Sequence, residues 1–192
     1  MSKSTINICI PVFNEEKNIN KLYEDLKIKI LDLEKKYDMI LKIVFFDDGS
    51  SDNSRQILEK LENIELLYVD ENKGLGNAIR ELCMHSKETG VNGMFKVDGD
   101  GQMDLDDLNK FLENDMHKNK DVIYGNRFHK SSNYKMPLHR RFGSKIFKIF
   151  LKLFSIDISD PTNGFIYLSK KYLANSKIIG NYNAAQQILL DA

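Results

Sequence analysis

The chain has no tryptophan, two cysteines and three prolines among its 192 residues, and no apolar run long enough to cross a bilayer. Each shortage excludes something. Cys9 and Cys83 stand far apart, without a Cys-x-x-Cys or a histidine at zinc spacing; this excludes a disulfide framework and a structural zinc site, and fits a reduced, cytoplasmic setting. Met1 to Phe13 holds one lysine, and its apolar run is broken by Asn7 and Pro11, so it does not read as a signal peptide. The stretch nearest to a membrane span, Phe142 to Ile158, carries Lys145, Lys148 and Lys152 and reads as amphipathic. Low complexity is excluded as well, since 42% apolar with 29% charged residues is the balance of a folded domain. The length predicts one domain with a sizeable core.

One sign of charge is missing from one segment. Between Val122 and Ile156 there is no Asp or Glu, while Arg127, Lys130, Lys135, Arg140, Arg141, Lys145, Lys148 and Lys152 contribute eight positive charges. The other 157 residues hold 28 acids against 20 bases, so the zero net charge hides an uneven distribution. Such a block points to an anionic partner, the alternative being a solvated helix face. Nucleic acid is excluded as that partner, because the regularly spaced aromatic and basic surface of the known modules is lacking.

What the chain does have is strand and helix in alternation. Ile6 to Phe13 is a buried strand, followed by Asn14 as a helix cap and by Ile19, Leu22, Leu26, Ile30 and Leu33 at spacings of three and four. Leu41 to Phe46 is the next strand, with Ser51 or Asp52 capping a helix that carries Ile57, Leu58 and Leu61. Ile64 to Val69 is a strand, Ala78 to Lys87 a helix and Gly93 to Val97 a strand. Asp104 then caps a helix with Leu105, Leu108 and Leu112, and Asp121 to Tyr124 is a short strand. This order predicts an α/β fold, a mostly parallel sheet with helices on both faces. Ligands bind such sheets beyond the strand C-termini. The polar clusters Asn14-Glu15, Asp47-Asp48, Lys73 to Gly76 and Asp98 to Gln102 all fall there.

The sharpest motif is Asp98-Gly99-Asp100-Gly101-Gln102, oxygen donors alternating with glycines directly after a buried strand. That set suits Mg2+ or Mn2+, which take one or two carboxylates and fill the other positions with water and phosphate oxygens. A calcium EF-hand is excluded, because Met103 and Asn109 stand where its glycine and glutamate are required. A plain strand-to-helix turn is the alternative. Gly74-Leu75-Gly76 is not a dinucleotide fingerprint, since Ile79 occupies the place of the third glycine.

Taken with Ile10-Pro11-Val12-Phe13-Asn14-Glu15, Phe46-Asp47-Asp48-Gly49-Ser50-Ser51-Asp52 and Asn72-Lys73-Gly74-Leu75-Gly76-Asn77-Ala78, this motif resembles the Rossmann-like, nucleotide-sugar-binding GT-A domain of family 2 glycosyltransferases. The closer likeness is to polyprenol-phosphate sugar transferases such as dolichol-phosphate mannose synthase. It runs from about Thr5 to Leu168, and includes Gly125-Asn126-Arg127 and Asp160-Pro161-Thr162-Asn163-Gly164-Phe165.

The resemblance implies a single domain over 1–192, with a nucleotide-sugar half (1–125) and an acceptor-side half (126–192). Pro11, Phe13, Asn14 and Glu15 would wall the nucleoside pocket, Asp48 with Asp47 behind it would bond the base, and Lys73, Gly74 and Gly76 would let backbone approach the nucleotide. A capped turn and an ordinary core Phe are the alternatives for Asp47-Asp48 and Phe13. Asp98, Gly99 and Asp100 would lie against the UDP- or GDP-sugar, with Asp98, Asp100 and Gln102 holding the metal. Arg127 and Arg141, with Arg140 and Ser144, would bind the phosphate of a polyprenyl phosphate or other anionic lipid. Segment 138–154 would make a peripheral contact on the cytoplasmic membrane face, or else pack on the sheet.

The reaction implied is inverting glycosyl transfer, with Asp98, Asp100, Arg127 and Arg141 as its catalytic set. Transfer to a glycan or glycolipid hydroxyl, and nucleotide-sugar binding without turnover, are the alternatives. Two positions depart from the family pattern. Ile166 stands where Arg usually follows Gly-Phe, and Gln187 where members often carry an acid, with Asp191 in a different register.

Overall fold

A computed structural model describes residues 3–113, 116–125, 164–175 and 187–188. Six strands form one sheet: β1 (Ser4–Val12), β2 (Met39–Asp48), β3 (Ile64–Val69), β4 (Gly93–Lys96), β5 (Val122–Tyr124) and β6 (Ile166–Ser169). The helices are α1 (Ile19–Tyr37), α2 (Ser54–Leu58), α3 (Leu75–Glu88), α4 (Asp106–Leu112), α5 (Met116–Asn119) and α6 (Lys170–Asn175). Strand order is β3-β2-β1-β4-β6-β5. The first four strands run parallel, with Ile6 opposite both Leu41 and Gly93. β6 enters antiparallel between β4 and β5, with Ile166 opposite both Lys96 and Tyr124. A strand at 166–169 was not among the expected elements; its four residues depend on two neighbours remote in sequence.

Alternation along β1 explains the two-sided core. Ile6, Ile8, Ile10 and Val12 face one layer with Leu22, Leu26 and Leu33 of α1 and Leu108 and Phe111 of α4. Cys9 faces the other, with Val44 and Phe46 of β2, Ile79, Leu82 and Cys83 of α3, and Tyr172 and Leu173 of α6. A strand covered on both faces reads as continuously apolar, which is why seven successive residues of β1 are buried. Each buried Leu or Ile contributes roughly 1.5–3 kcal/mol by leaving water. Both thiols are free and buried, and burial pushes Cys9 up to about 12, so neither is a reactive thiolate.

Four helix starts differ from expectation, α2 following Asn53 instead of Ser51 or Asp52 and α4 following Leu105 instead of Asp104. Asn14 does not cap α1, which begins at Ile19 after Asn18 and takes its first turn from the Glu15 carbonyl. Helix α3 begins at Leu75 instead of Ala78, because Gly74 at φ 91 turns the chain directly into it. Gly76, expected to let backbone approach the nucleotide, is therefore buried in the first turn of that helix.

Candidate active site

The loops after β1 and β2 lock onto each other. Asn14, at φ 57, accepts the Ser51 N–H at 2.8 Å and the Asp52 N–H at 3.3 Å through Oδ1, and donates its own N–H to Ser50 Oγ at 2.9 Å. The Glu15 N–H donates to Ser54 Oγ at 2.8 Å, and the Glu16 N–H to Asp52 Oδ2 at 3.1 Å. In return Glu16 Oε2 accepts from the Asn53 amide and side chain. Asn14 is thus a bracket between two loops, and the Glu15 carboxylate is engaged by Asn18 Nδ2 at 2.6 Å. Pro11 is buried in β1, beyond the ladder to β4 that ends at Cys9. Phe13 is 45% exposed and so is not core.

The loop after β3 is fastened by Asp48, whose Oδ1 accepts the Lys73 N–H at 3.1 Å and Oδ2 the Gly74 N–H at 2.8 Å. Asp48 is buried, and this bond to the neighbouring loop is the work its carboxylate performs here. Gly49, at φ +71, comes so near that a Cβ would stand 2.6 Å from Asn72 N and the Glu71 carbonyl carbon. Asp47 is fully buried and pairs with Arg55 Nε at 2.8 Å, while the Arg55 guanidinium lies 4.2 Å from the Tyr68 ring centroid. Arg55 also reaches the Val69 carbonyl and Asp70. It therefore joins β2 to β3 behind the site, a role with no local sequence signature because β3 becomes its neighbour only through strand pairing.

The loop after β4 passes close over β1: a Cβ on Gly99 would lie 2.9 Å from the Pro11 carbonyl oxygen. Contacts of β1 with β2, β2 with β3 and β4 with β1 thus gather all four polar clusters on one rim. Asp100 Oδ1 accepts the Gln102 N–H at 3.0 Å, and Asp98 pairs through Oδ1 with Lys96 Nζ. Gly164 covers that pair, because a Cβ there would run into Asp98 Oδ2 and Lys96 Nζ. Lys96 and Gly164 were not among the expected site residues. Ile166, at the position where the resembling family has Arg, lies directly opposite Lys96; a cation stands on β4 beside the place where β6 lacks one.

Among the described residues no group of three or more Asp, Glu, His or Cys forms a metal cage. Asp98 and Asp100 each keep an oxygen outside the bonds above, which fits Mg2+ or Mn2+ held by one or two carboxylates with water and substrate phosphate completing the shell. The expected phosphate ligands Arg127, Arg140, Arg141 and Ser144, and segment 138–154, lie outside the described residues. Among the described residues no helix is long and apolar enough to cross a membrane.

The profile of glycosyl transferase family 2 matches residues 7–176. The chain belongs to this family. This family 2 chain is similar to the UDP-N-acetylglucosamine–dolichyl-phosphate N-acetylglucosaminyltransferase of Methanococcus voltae, 28% identical over 161 residues, covering 75% of the chain and 61% of the relative. It is 32% identical over 152 residues to a dolichyl-phosphate beta-glucosyltransferase of Trichomonas vaginalis, covering 73% of the chain and 44% of the relative. It therefore spans between about two fifths and three fifths of the length of these two relatives. Among solved structures, S. aureus TarS 1-349 has a TM-score of 0.62 at 18% identity over 97% of this chain and 54% of that one. Mannosyl-3-phosphoglycerate synthase from Rubrobacter xylanophilus has a TM-score of 0.59 at 14% identity over 88% of this chain and 54% of its own. At those identities the likeness is one of fold, the GT-A architecture.

Proposed function

We propose that the chain transfers a sugar from a UDP- or GDP-sugar to a polyprenyl phosphate at the cytoplasmic membrane face, with inversion at the anomeric carbon. The observation that carries this reading is the single rim on which the locked Asn14 and Ser51 loops meet the Asp98 to Gln102 loop. The half braced by hydrogen bonds to backbone suits a nucleoside, and the Asp98 and Asp100 carboxylates suit its diphosphate through a shared dication. Phe13 offers an exposed ring at the nucleoside end. Both relatives described above are named for dolichyl phosphate, which supports a polyprenyl phosphate as the acceptor.

Asp98, Asp100 and Gln102 would hold Mg2+ or Mn2+, which supplies neutralisation of the departing nucleoside diphosphate. An acceptor phosphate oxygen is already anionic, so its attack on the anomeric carbon needs positioning more than a general base. Gln187 in place of an acid is compatible with that chemistry. Arg127, Arg140 and Arg141 would orient the phosphate through their guanidinium forks, with Ser144 beside them. Segment 138–154 would hold the site at the headgroups.

The test is thermal stabilisation by UDP, GDP and their sugars, each with and without Mn2+, because a ligand of the folded state raises the melting temperature. One nucleotide series should stabilise in the presence of Mn2+, and the shift should vanish in Asp100→Ala. No shift with any nucleotide overturns the donor reading. Arg141→Ala should retain the donor shift and lose transfer to polyprenyl phosphate.

A further inference from the structure

We infer that Lys96 is the resident counter-cation of this rim: paired with Asp98, it keeps the site from holding a divalent cation alone, so that the cation enters together with the donor's diphosphate. The inference rests on the sugar-nucleotide reading of the rim. Lys96 and Asp98 are two residues apart at the end of β4, and so share one face of the chain there. Lys96 is 3% exposed, and its ladder neighbours are Cys9 on β1 and Ile166 on β6. Its ammonium has one polar partner among the described residues, Asp98, and Gly164 packs against both.

A buried lysine in the middle of a sheet is rarely retained for stability, since a well-packed apolar residue is usually as good or better. This one is aimed at a functional carboxylate. The Asp98 side chain is 33% exposed and so connects the buried ammonium to the rim.

Charge arithmetic gives the consequence. Lys96, Asp98 and Asp100 together carry one negative charge, a weak attraction for a hydrated dication. A dication held by Asp98 would stand near the ammonium and be repelled by it. A nucleoside diphosphate brings further negative charges and supplies oxygens to the same ion, which offsets that repulsion.

The experiment is a Mn2+ titration of the full chain followed by electron paramagnetic resonance, without nucleotide and with UDP or GDP. Wild type should bind Mn2+ weakly alone and at least about tenfold more tightly with the nucleotide. Lys96→Gln should bind Mn2+ alone at least about tenfold more tightly than wild type, with a smaller gain from nucleotide. Lys96→Arg should behave as wild type, which separates charge from packing. Lys96→Met replaces Lys96→Gln if circular dichroism shows that variant unfolded. Tight Mn2+ binding by wild type alone, unchanged binding in a folded charge-free variant, or Lys96→Arg behaving like Lys96→Gln overturns the inference. Weak wild-type binding that neither UDP nor GDP improves, with Lys96→Gln still tighter, supports the counter-cation and overturns the donor reading.

Discussion

The two ends of the rim are built from different forces. At the β1–β2 end, Asn14, Glu15 and Glu16 exchange hydrogen bonds with residues 50–54, largely through backbone amides and hydroxyls. At the β4 end, a loop with Gly101 at φ 66 presents two carboxylates, one of them tied to a buried ammonium. The contrast separates shape from charge. Short-range bonds to the backbone fix a surface whatever is bound, whereas a charged pair changes its balance when another ion arrives. On the proposed reading, the first end recognises a nucleoside and the second manages a diphosphate.

The largest effect should fall on the charged end. Asp100→Ala should reduce transfer by about a hundredfold or more while leaving the ligand-free melting temperature unchanged; equal rates in a transfer assay would mean that the charge of this loop is not used. On the braced end the expected losses are in stability. Gly49→Ala should cost about 3 kcal/mol in denaturant unfolding, combining a left-handed backbone with a Cβ driven into residues 71 and 72. Gly90→Ala, also left-handed at φ +69 but with open space around it, should cost only about 1 kcal/mol. A matched loss at the two glycines would show that the 49–72 contact does not crowd.

Asn14→Ala should cost about 1–2 kcal/mol and weaken nucleotide binding without altering Mn2+ affinity, measured by calorimetry; a change in Mn2+ affinity would couple the two ends. The smallest effect is one of pH. The hydrogen bond and charge of Lys29 hold Asp106 below the usual carboxylate range. Its contribution is therefore present above the unfolded value of about 3.9 and lost as pH falls through the lower folded one. Asp106→Asn should slightly flatten the acid limb of a melting-temperature profile between pH 5 and pH 2.

Much of the fold was legible because its signals are local. The five apolar residues of α1, spaced by three and four, are all buried, and β3 occupies the expected Ile64–Val69. The helix after Asp104 was legible as well, although Leu105 and not Asp104 stands at its N-cap, with Asp104 Oδ1 accepting the Asp106 N–H at 2.9 Å. Asn14 shows where local reasoning fails. An Asn at the end of a strand reads as a helix cap, yet its side-chain oxygen finds better donors 37 residues away, at Ser51. Arg55 was invisible because β3 becomes its neighbour only through strand pairing, and Lys96 because its burial is set by the neighbouring strands β1 and β6.

The sequence alone determined the strands and helices from β1 to α4 and the short strand β5, and that polar clusters follow each of the first four strands, because periodicity and glycine chemistry act within a few residues. Only the tertiary structure decided that β6 inserts antiparallel beside β4, that Gly164 covers Asp98, and that a lysine in a central strand faces a carboxylate on the rim. The strand insertion, the Gly164 contact and the burial of that lysine arise from contacts between residues far apart in the chain, where strand pairing and burial, not local preference, select the neighbour.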